Sequence, residues 1–385
     1  AVGWVDTVAV GKAGRRQRAQ CSRERRGAIK VARLHVTKAV SVRAVAKCCA
    51  EGPRAEGSLR AVNEWMGSVT KAARDMLSPS TSPRVLNEAT KAERLSSKDS
   101  TTSRQRSGAD TSGAEVAAEM RSRVMMLYGS FLQDDGATVN YRALRSSSEF
   151  QEYCETATRL SVVDPLTMSD AERLAFFMNV YNSLLIHAMA VAEKPPTSIV
   201  QRLKFYGRAK YNIGGAIYSL NDIENGVLRA NAKSPAPFSQ KPFKKSDPRL
   251  KVAFTEDSKD ERIHFALNCG ARSCPPVRFF TAENVYDTLA NAACGFVMDD
   301  SNVSVNVSEN RVALSAIFDW YRQDFTPKAP KSDAELLRKL ASYLEVRRGS
   351  KAADECRERL LSMANSGARV AFASYDWSLN EVDQS

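Results

Sequence analysis

Residues 174–192 read LAFFMNVYNSLLIHAMAVA, a run with no formal charge at neutral pH. Such a run has two stable homes. One is a bilayer, which needs about 20 apolar residues to cross. The other is the centre of a protein, where a helix apolar on every face is covered on every face. Asn179, Asn182, Ser183 and His187 interrupt the run, and each is costly in hydrocarbon. No other segment resembles it, so no transmembrane segment is predicted and the run is read as a central buried helix. Its limits are written beside it. Ser169-Asp-Ala-Glu172 has the spacing of a capping box, and Pro195-Pro196 forbids continuation. The predicted helix spans 170–193.

The rest of the chain is organised around that helix. A helix is expected at about 114–134, with Val116, Met120, Val124, Leu127 and Phe131 at helical spacing. Two β-like runs flank Gly214-Gly215 at 211–220 and read as a hairpin. Asn221-Asp-Ile-Glu224 opens a short helix. RIHFALNC, 262–269, reads as a strand. A helix at 281–298, a hairpin at 303–315, helices at 316–325, 333–347 and 352–364, and a strand at 370–374 complete the chain. Helices outnumber strands and the strands come in local pairs. The fold class expected is α+β, mainly helical with a small antiparallel sheet, in one C-terminal domain of residues 114–385.

What precedes that domain differs in composition. Residues 57–113 read as a short helix around Trp65 and Met66 followed by a Ser/Thr-rich linker. Residues 1–56 read as a basic arm, disordered or transit-like, with Lys30, Arg33, Lys38, Arg43 and Lys47 spaced along a potential amphipathic helix. The formal net charge of +12 belongs largely to this arm. Residues 1–50 hold twelve Lys/Arg against two acids, and the remaining residues hold 44 against 42. A nearly neutral body lacks the basic face that binding a phosphate backbone requires, so nucleic acid is not an expected partner of the folded domain.

The stretch at 262–277, RIHFALNCGARSCPPV, concentrates chemistry. On a strand His264, Ala266 and Asn268 share one face and Phe265, Leu267 and Cys269 the other, so His264 meets Cys269 only across a bulge. Cys269 sits at a strand end before a glycine, fixed but open to approach. Cys274 precedes Pro275-Pro276 and so reads as a helix N-cap, its thiol lowered by amide dipoles and by Arg272. A disulfide across Gly-Ala-Arg-Ser needs Cα atoms within about 7 Å. His-x4-Cys-x4-Cys is not a usual zinc spacing, and no metal site is predicted. No Gly-rich phosphate loop, dinucleotide fingerprint or GxSxG elbow is present, so no cofactor is predicted. Cys154, Cys294 and Cys356 read as small buried hydrophobes. The scattered cysteines suit a reducing, intracellular compartment.

Other polar residues lie in apolar settings. Asn179 and Asn182 face one way on the central helix and need partners. His187 lies about 140° around from Asn182 and reads as a core histidine or a base. Glu224, if buried, needs an arginine or a role. Asp376 in YDWSLN is equally ambiguous, and Trp377 reads as a core anchor.

Five segments together resemble one family, the domain of unknown function 547: LAFFMNVYNSLLIHA (174–188), GGAIYSLNDIENGVLR (214–229), RIHFALNCGARSCPPVRFFTAENV (262–285), VALSAIFDWYRQDF (312–325) and YDWSLN (375–380). The resemblance covers about 160–380. It implies no settled activity. It implies that the important residues are Asn179, Tyr181 and Asn182; Glu224; His264, Asn268, Cys269 and Cys274; and Asp376 and Trp377. Two departures follow from it. Many relatives carry histidine where this chain has Asn225. Some carry serine where it has Cys274.

The leading expectation is a thiol-dependent hydrolase or acyl transferase acting on a small molecule or peptide. Cys269 is its nucleophile and His264 or His187 its base. Asn268 or Asn182 orients the base or stabilises an oxyanion, and Glu224 completes the catalytic set. Asn179, Tyr181, His187, Cys274 and Asp376 are candidate binding residues. The rivals are a non-catalytic domain that binds a protein partner and a redox-sensing dithiol formed by Cys269 and Cys274.

Overall fold

The computed structural model describes residues 85–88, 113–133, 138–192, 195–196, 199–236, 239–329 and 331–382. The basic arm, the short helix expected around Trp65 and most of the linker lie outside these residues. The architecture is mixed α+β, with helices around two small sheets.

Helix α1 covers Gly113–Phe131, α2 Tyr141–Arg145, α3 Ser148–Thr158, α4 Asp170–Val191 and α5 Ile199–Arg208. Strands β1 (Lys210–Ile213) and β2 (Ala216–Ser219) form an antiparallel hairpin. Helix α6 spans Val285–Met298, followed by β3 (Val303–Asn306) and β4 (Arg311–Leu314). Short helices α7 (Ala316–Trp320) and α8 (Arg322–Phe325) lead to α9 (Asp333–Ser342) and α10 (Lys351–Asn365), and β5 (Arg369–Phe372) ends the series. The second sheet is not wholly antiparallel: β3 and β4 form the expected hairpin, but β5 joins β4 in parallel.

Helix α4 is the central element the sequence demands. Ser169 and Glu172 close both bonds of the capping box, and residues 174–190 are buried almost without interruption. Among the described residues it is the one helix long and apolar enough to cross a membrane, and protein surrounds it. Its two asparagines are spent on backbone. The Asn179 amide donates to the Phe280 carbonyl (2.8 Å) and accepts from the Phe280 N–H (3.1 Å). Asn182 accepts from the Asn268 N–H (3.0 Å) and donates to the Ala266 carbonyl (3.3 Å). Each amide acts as one rung of a strand ladder, pinning the irregular chain at 266–280 to the helix.

That chain is where the sequence expectation fails. No strand forms at 262–269. Residues Glu261–Phe265 wind into a 3-10 turn instead. The Asp260 carboxylate caps it by accepting the Arg262 N–H (3.0 Å), and the amides of Ala266 and Leu267 both return to the Ile263 carbonyl (3.0 and 2.9 Å). With its backbone bonds satisfied locally the segment needs no neighbouring strand. It lies at a seam: Ile263 and Ala266 pack in the core around α4, while Phe265 packs in a second core built by α6, the second sheet, α9 and α10.

Two further corrections concern local signals. The helix after the hairpin is a π-helix, Asp222–Leu228, and Asn221 does not cap it. Ser219 does so, exchanging bonds with Asp222 (3.1 and 2.9 Å). The Ser/Thr-rich linker also contains a docked piece. Val85 bridges to Lys210, and buried Asn87 donates to the carbonyls of Ala157 (3.0 Å) and Asn212 (2.8 Å).

Replacing Asn182 by alanine orphans one buried N–H and one buried C=O. Such a loss costs roughly 1–3 kcal/mol per group. Urea denaturation of N182A is expected to show a lowered midpoint with an unchanged slope. A midpoint equal to wild type means that the 266–268 segment is held by other contacts.

Candidate functional site

The π-helix carries Glu224 and Asn225 and has Arg229 at its C-cap, and π-helices recur at functional sites. Half-buried Glu224 accepts from two phenols: Tyr321 from the α7–α8 junction (2.7 Å) and Tyr181 from α4 (3.2 Å). Burial first, and the Glu224 carboxylate next, push both phenols well above their usual range, so both stay protonated and donate.

Behind Tyr321 lies a second carboxylate. Asp324 is buried and receives Arg229 Nε (2.6 Å), His264 Nε2 (2.9 Å) and Lys259 Nζ (3.3 Å). Burial alone would raise its pKa. The hydrogen bond from His264 and the Arg229 guanidinium outweigh burial and hold the carboxyl far below its ordinary value. His264 responds in the opposite sense. Burial, and then the Arg229 charge, outweigh Asp324 and lower its pKa, so the imidazole is neutral. An ionised acceptor at Nε2 fixes the proton there and leaves Nδ1 as the basic nitrogen. The ring stacks on Tyr321 at 3.6 Å between centroids, and the Arg229 guanidinium lies over the Tyr321 ring at 4.8 Å from its centroid. Asn225 accepts from Arg229 Nη1. Asn225 is therefore a buried partner of the arginine.

The second half of the site is the loop after the 3-10 turn. Cys269 and Cys274 are joined by a disulfide, with Cα atoms 6.2 Å apart. Both are half-buried. Asn268 shapes the loop: its Oδ1 accepts the Gly270 N–H (2.7 Å) and its Nδ2 donates to the Pro275 carbonyl (3.2 Å). Gly270 has φ +74°, and a Cβ there would fall 2.6 Å from Met189 Cε, so only glycine fits. The C-terminal segment runs alongside, with Arg272 N–H donating to the Ser378 carbonyl (3.0 Å) and Asn380 N–H to the Gly270 carbonyl (3.2 Å).

The Cys274 sulfur collects donors. The N–H of Cys269 (3.0 Å) and the N–H of Ala271 (3.4 Å) point to it, and the hydroxyl of Tyr375 lies 3.4 Å from both sulfurs of the pair. No helix follows Pro275-Pro276, so Cys274 is not an N-cap. The amide dipoles come from its own loop. Beneath the loop lies Arg202, wholly buried. It donates to the carbonyls of Cys269 (3.0 Å) and Trp377 (2.6 Å), and its Nε has no partner. Tyr206 adds a second bond to the Cys269 carbonyl (2.9 Å). Trp320, Tyr375 and Trp377 stack against one another at 4.7–5.3 Å.

The structure thus joins Glu224 to Tyr181, and Asn182 to Asn268 and the cysteine loop. It does not join His264 to a thiol: the imidazole bonds to Asp324 and makes no hydrogen bond to either sulfur of the pair. Asn179 holds Phe280. His187 lies in a separate cluster with Cys154 and Tyr211. Asp376 is exposed and accepts from the Ser378 N–H (2.8 Å), which lowers its pKa. Sequence reasoning missed Asp324, Arg229, Tyr321, Arg202 and Tyr375. A signal was present for Asp324 and Tyr321, two polar groups within the aromatic run FDWYRQDF.

These features define a mixed α+β domain with a buried acid–base cluster beside a dithiol loop. Residues 165–297 match the family model described as "Protein of unknown function, DUF547". No curated protein and no solved structure matches the chain.

Because folding depresses His264, the unfolded chain takes up a proton below its ordinary pKa of 6.5 that the folded chain refuses. Stability is unaffected by this group above that pH and falls as the pH drops through it, by at most about 1.4 kcal/mol per pH unit. Chemical denaturation between pH 7.5 and 5 is expected to show this slope in wild type and a shallower one in H264N. Equal slopes would assign the pH dependence elsewhere.

Proposed function

We propose that this domain is a thiol–disulfide redox module in which Cys274 is the attacking thiol and Cys269 the resolving one. The observation that carries the reading is the pair of backbone N–H donors on the Cys274 sulfur of a closed Cys269–Cys274 pair, with the Tyr375 hydroxyl 3.4 Å from both sulfurs. Donors of this kind stabilise a thiolate far more than a thiol or a disulfide sulfur, and the thiolate is the nucleophile in exchange. The Arg202 charge beneath the loop acts in the same direction.

In the reduced domain the Cys274 thiolate attacks one sulfur of an oxidised low-molecular-weight disulfide. A mixed disulfide forms and one thiolate leaves. The Cys269 thiolate then attacks the Cys274 sulfur, closes the pair and releases the second thiol. The small disulfide gains two electrons and the domain loses two.

The thiol-dependent hydrolase reading asks for a base at the sulfur. The hydrogen bonding of His264 favours it less, because its protonated nitrogen is committed to Asp324 and its ring is covered by Tyr321. The interaction-domain reading would draw on exposed apolar side chains, but Met125, Val162, Leu203, Tyr286 and Val307 belong to different segments.

Equilibration of the full chain with reduced and oxidised glutathione, quenched and read by peptide mass spectrometry, tests the redox reading. The 269–274 pair is expected to interconvert with a two-hydrogen mass change. In the reduced chain Cys274 is expected to alkylate at a lower pH than Cys269. C269S should accumulate a glutathione adduct on Cys274. Absence of the 269–274 disulfide at every glutathione ratio sinks the proposal.

A further inference from the structure

We propose a second reactive thiol, independent of the dithiol loop: Cys154, activated by His187, is a modification site for small uncharged conjugated carbonyl compounds. Cys154 is half-buried on α3, and its Sγ lies 3.7 Å from His187 Nε2 on α4.

The protonation of that imidazole follows from the bonds behind it. Tyr153 OH lies 3.0 Å from the Ser183 carbonyl, which has no proton to offer, so Tyr153 donates there. Its proton is then spent. Tyr211 OH, 2.5 Å from Tyr153 OH, must donate to the Tyr153 oxygen. The Tyr211 proton is spent in turn, so at 2.8 Å it is His187 Nδ1 that donates to the Tyr211 oxygen. The reverse order would leave two phenol oxygens in contact with no hydrogen between them. Nδ1 therefore carries the proton and Nε2 presents a lone pair to the thiol. A nucleophile, a base within reach and a third group that orients the base form the arrangement expected of an activated thiol. All four polar residues come from segments read separately in the sequence, where Cys154 counted as a small hydrophobe.

The surroundings select the reagent. The rings of Phe150 and Tyr153 pack edge-on to His187 at 5.3 and 5.6 Å, and His187, Tyr153 and Tyr211 are all buried. An apolar wall of this kind disfavours a charged reagent beside the half-exposed thiol. In the reaction the Sγ proton passes to Nε2, and the sulfur bonds to the β-carbon of the activated alkene. The π pair moves to form an enolate, and the imidazolium returns the proton to the α-carbon. No oxidant or co-reactant is consumed.

N-ethylmaleimide supplies the probe. The full chain is treated between pH 5.5 and 8, and the rate at each cysteine is read by peptide mass spectrometry. Cys356, which is half-buried and whose thiol burial pushes up, serves as the internal reference. Lowering a thiol pKa by one unit yields about ten times more thiolate below it. Cys154 is therefore expected to react about tenfold or more faster than Cys356 in the native chain. Y211F removes the group that fixes the tautomer and H187Q removes the base. Each is expected to slow Cys154 about tenfold while Cys356 is unchanged. Reaction of native Cys154 no faster than Cys356 overturns the proposal, as does an unchanged Cys154 rate in a folded Y211F. Should both variants unfold, the ratio in the native wild-type chain, and its collapse in urea, decides alone.

Discussion

Asp324 places a negative charge in the interior, and three segments of chain meet on it. Arg229 comes from the π-helix, Lys259 from the loop before the 3-10 turn and His264 from the turn itself. A buried carboxylate without partners is strongly unfavourable, so these segments are not free to choose other positions once Asp324 is inside. The position of Tyr321, three residues earlier, follows. Its ring lies on His264 and its hydroxyl reaches Glu224. One ion-paired carboxylate thus sets the place of the second, and the π-helix, α4 and the α7–α8 junction are tied through two acids and two phenols. Asp324 is met by Arg229 and by Lys259, which also pairs with Glu256, while His264 stays neutral.

The parts of this fold legible in the sequence are those decided locally. The capping box at Ser169 and Pro195-Pro196 bound α4, and its uncharged length demanded burial. The Gly214-Gly215 and 303–315 hairpins carry their own turn residues. What was not legible was decided by distant partners. RIHFALNC is apolar without a clean period, and such a run serves equally as a strand or a buried turn of helix. The Asp260 cap and the amide of Asn182 settle it, and the second lies about 80 residues away in the chain. Asp324 was unread because its partners stand 60, 65 and 95 residues off. Residues 85–88 were hidden by the Ser/Thr-rich composition around them, although buried Asn87 binds β1 through both ends of its amide. The cysteine pair was legible only as one option among several, since spacing permits a disulfide without requiring one.

Arg202 gives the clearest link between burial and chemistry. It is wholly buried, and its guanidinium is spent on the carbonyls of Cys269 and Trp377 with the Trp377 ring 5.7 Å away. Carbonyl dipoles and an aromatic face can hold a cation in place, but they offset less of its desolvation than an anion does. A domain that keeps such a charge beside two sulfurs gains most from it when one sulfur is ionised. The Cys154 site achieves activation by the opposite means. A line of two phenols and a backbone carbonyl determines which nitrogen of His187 carries the proton. The first device lowers the energy of a thiolate in place, through a field that is always present. The second provides a destination for the proton and acts only while that line of bonds is intact. The two thiol sites should therefore respond differently to perturbation: the loop to charge and salt, the α3–α4 site to the loss of a single hydroxyl.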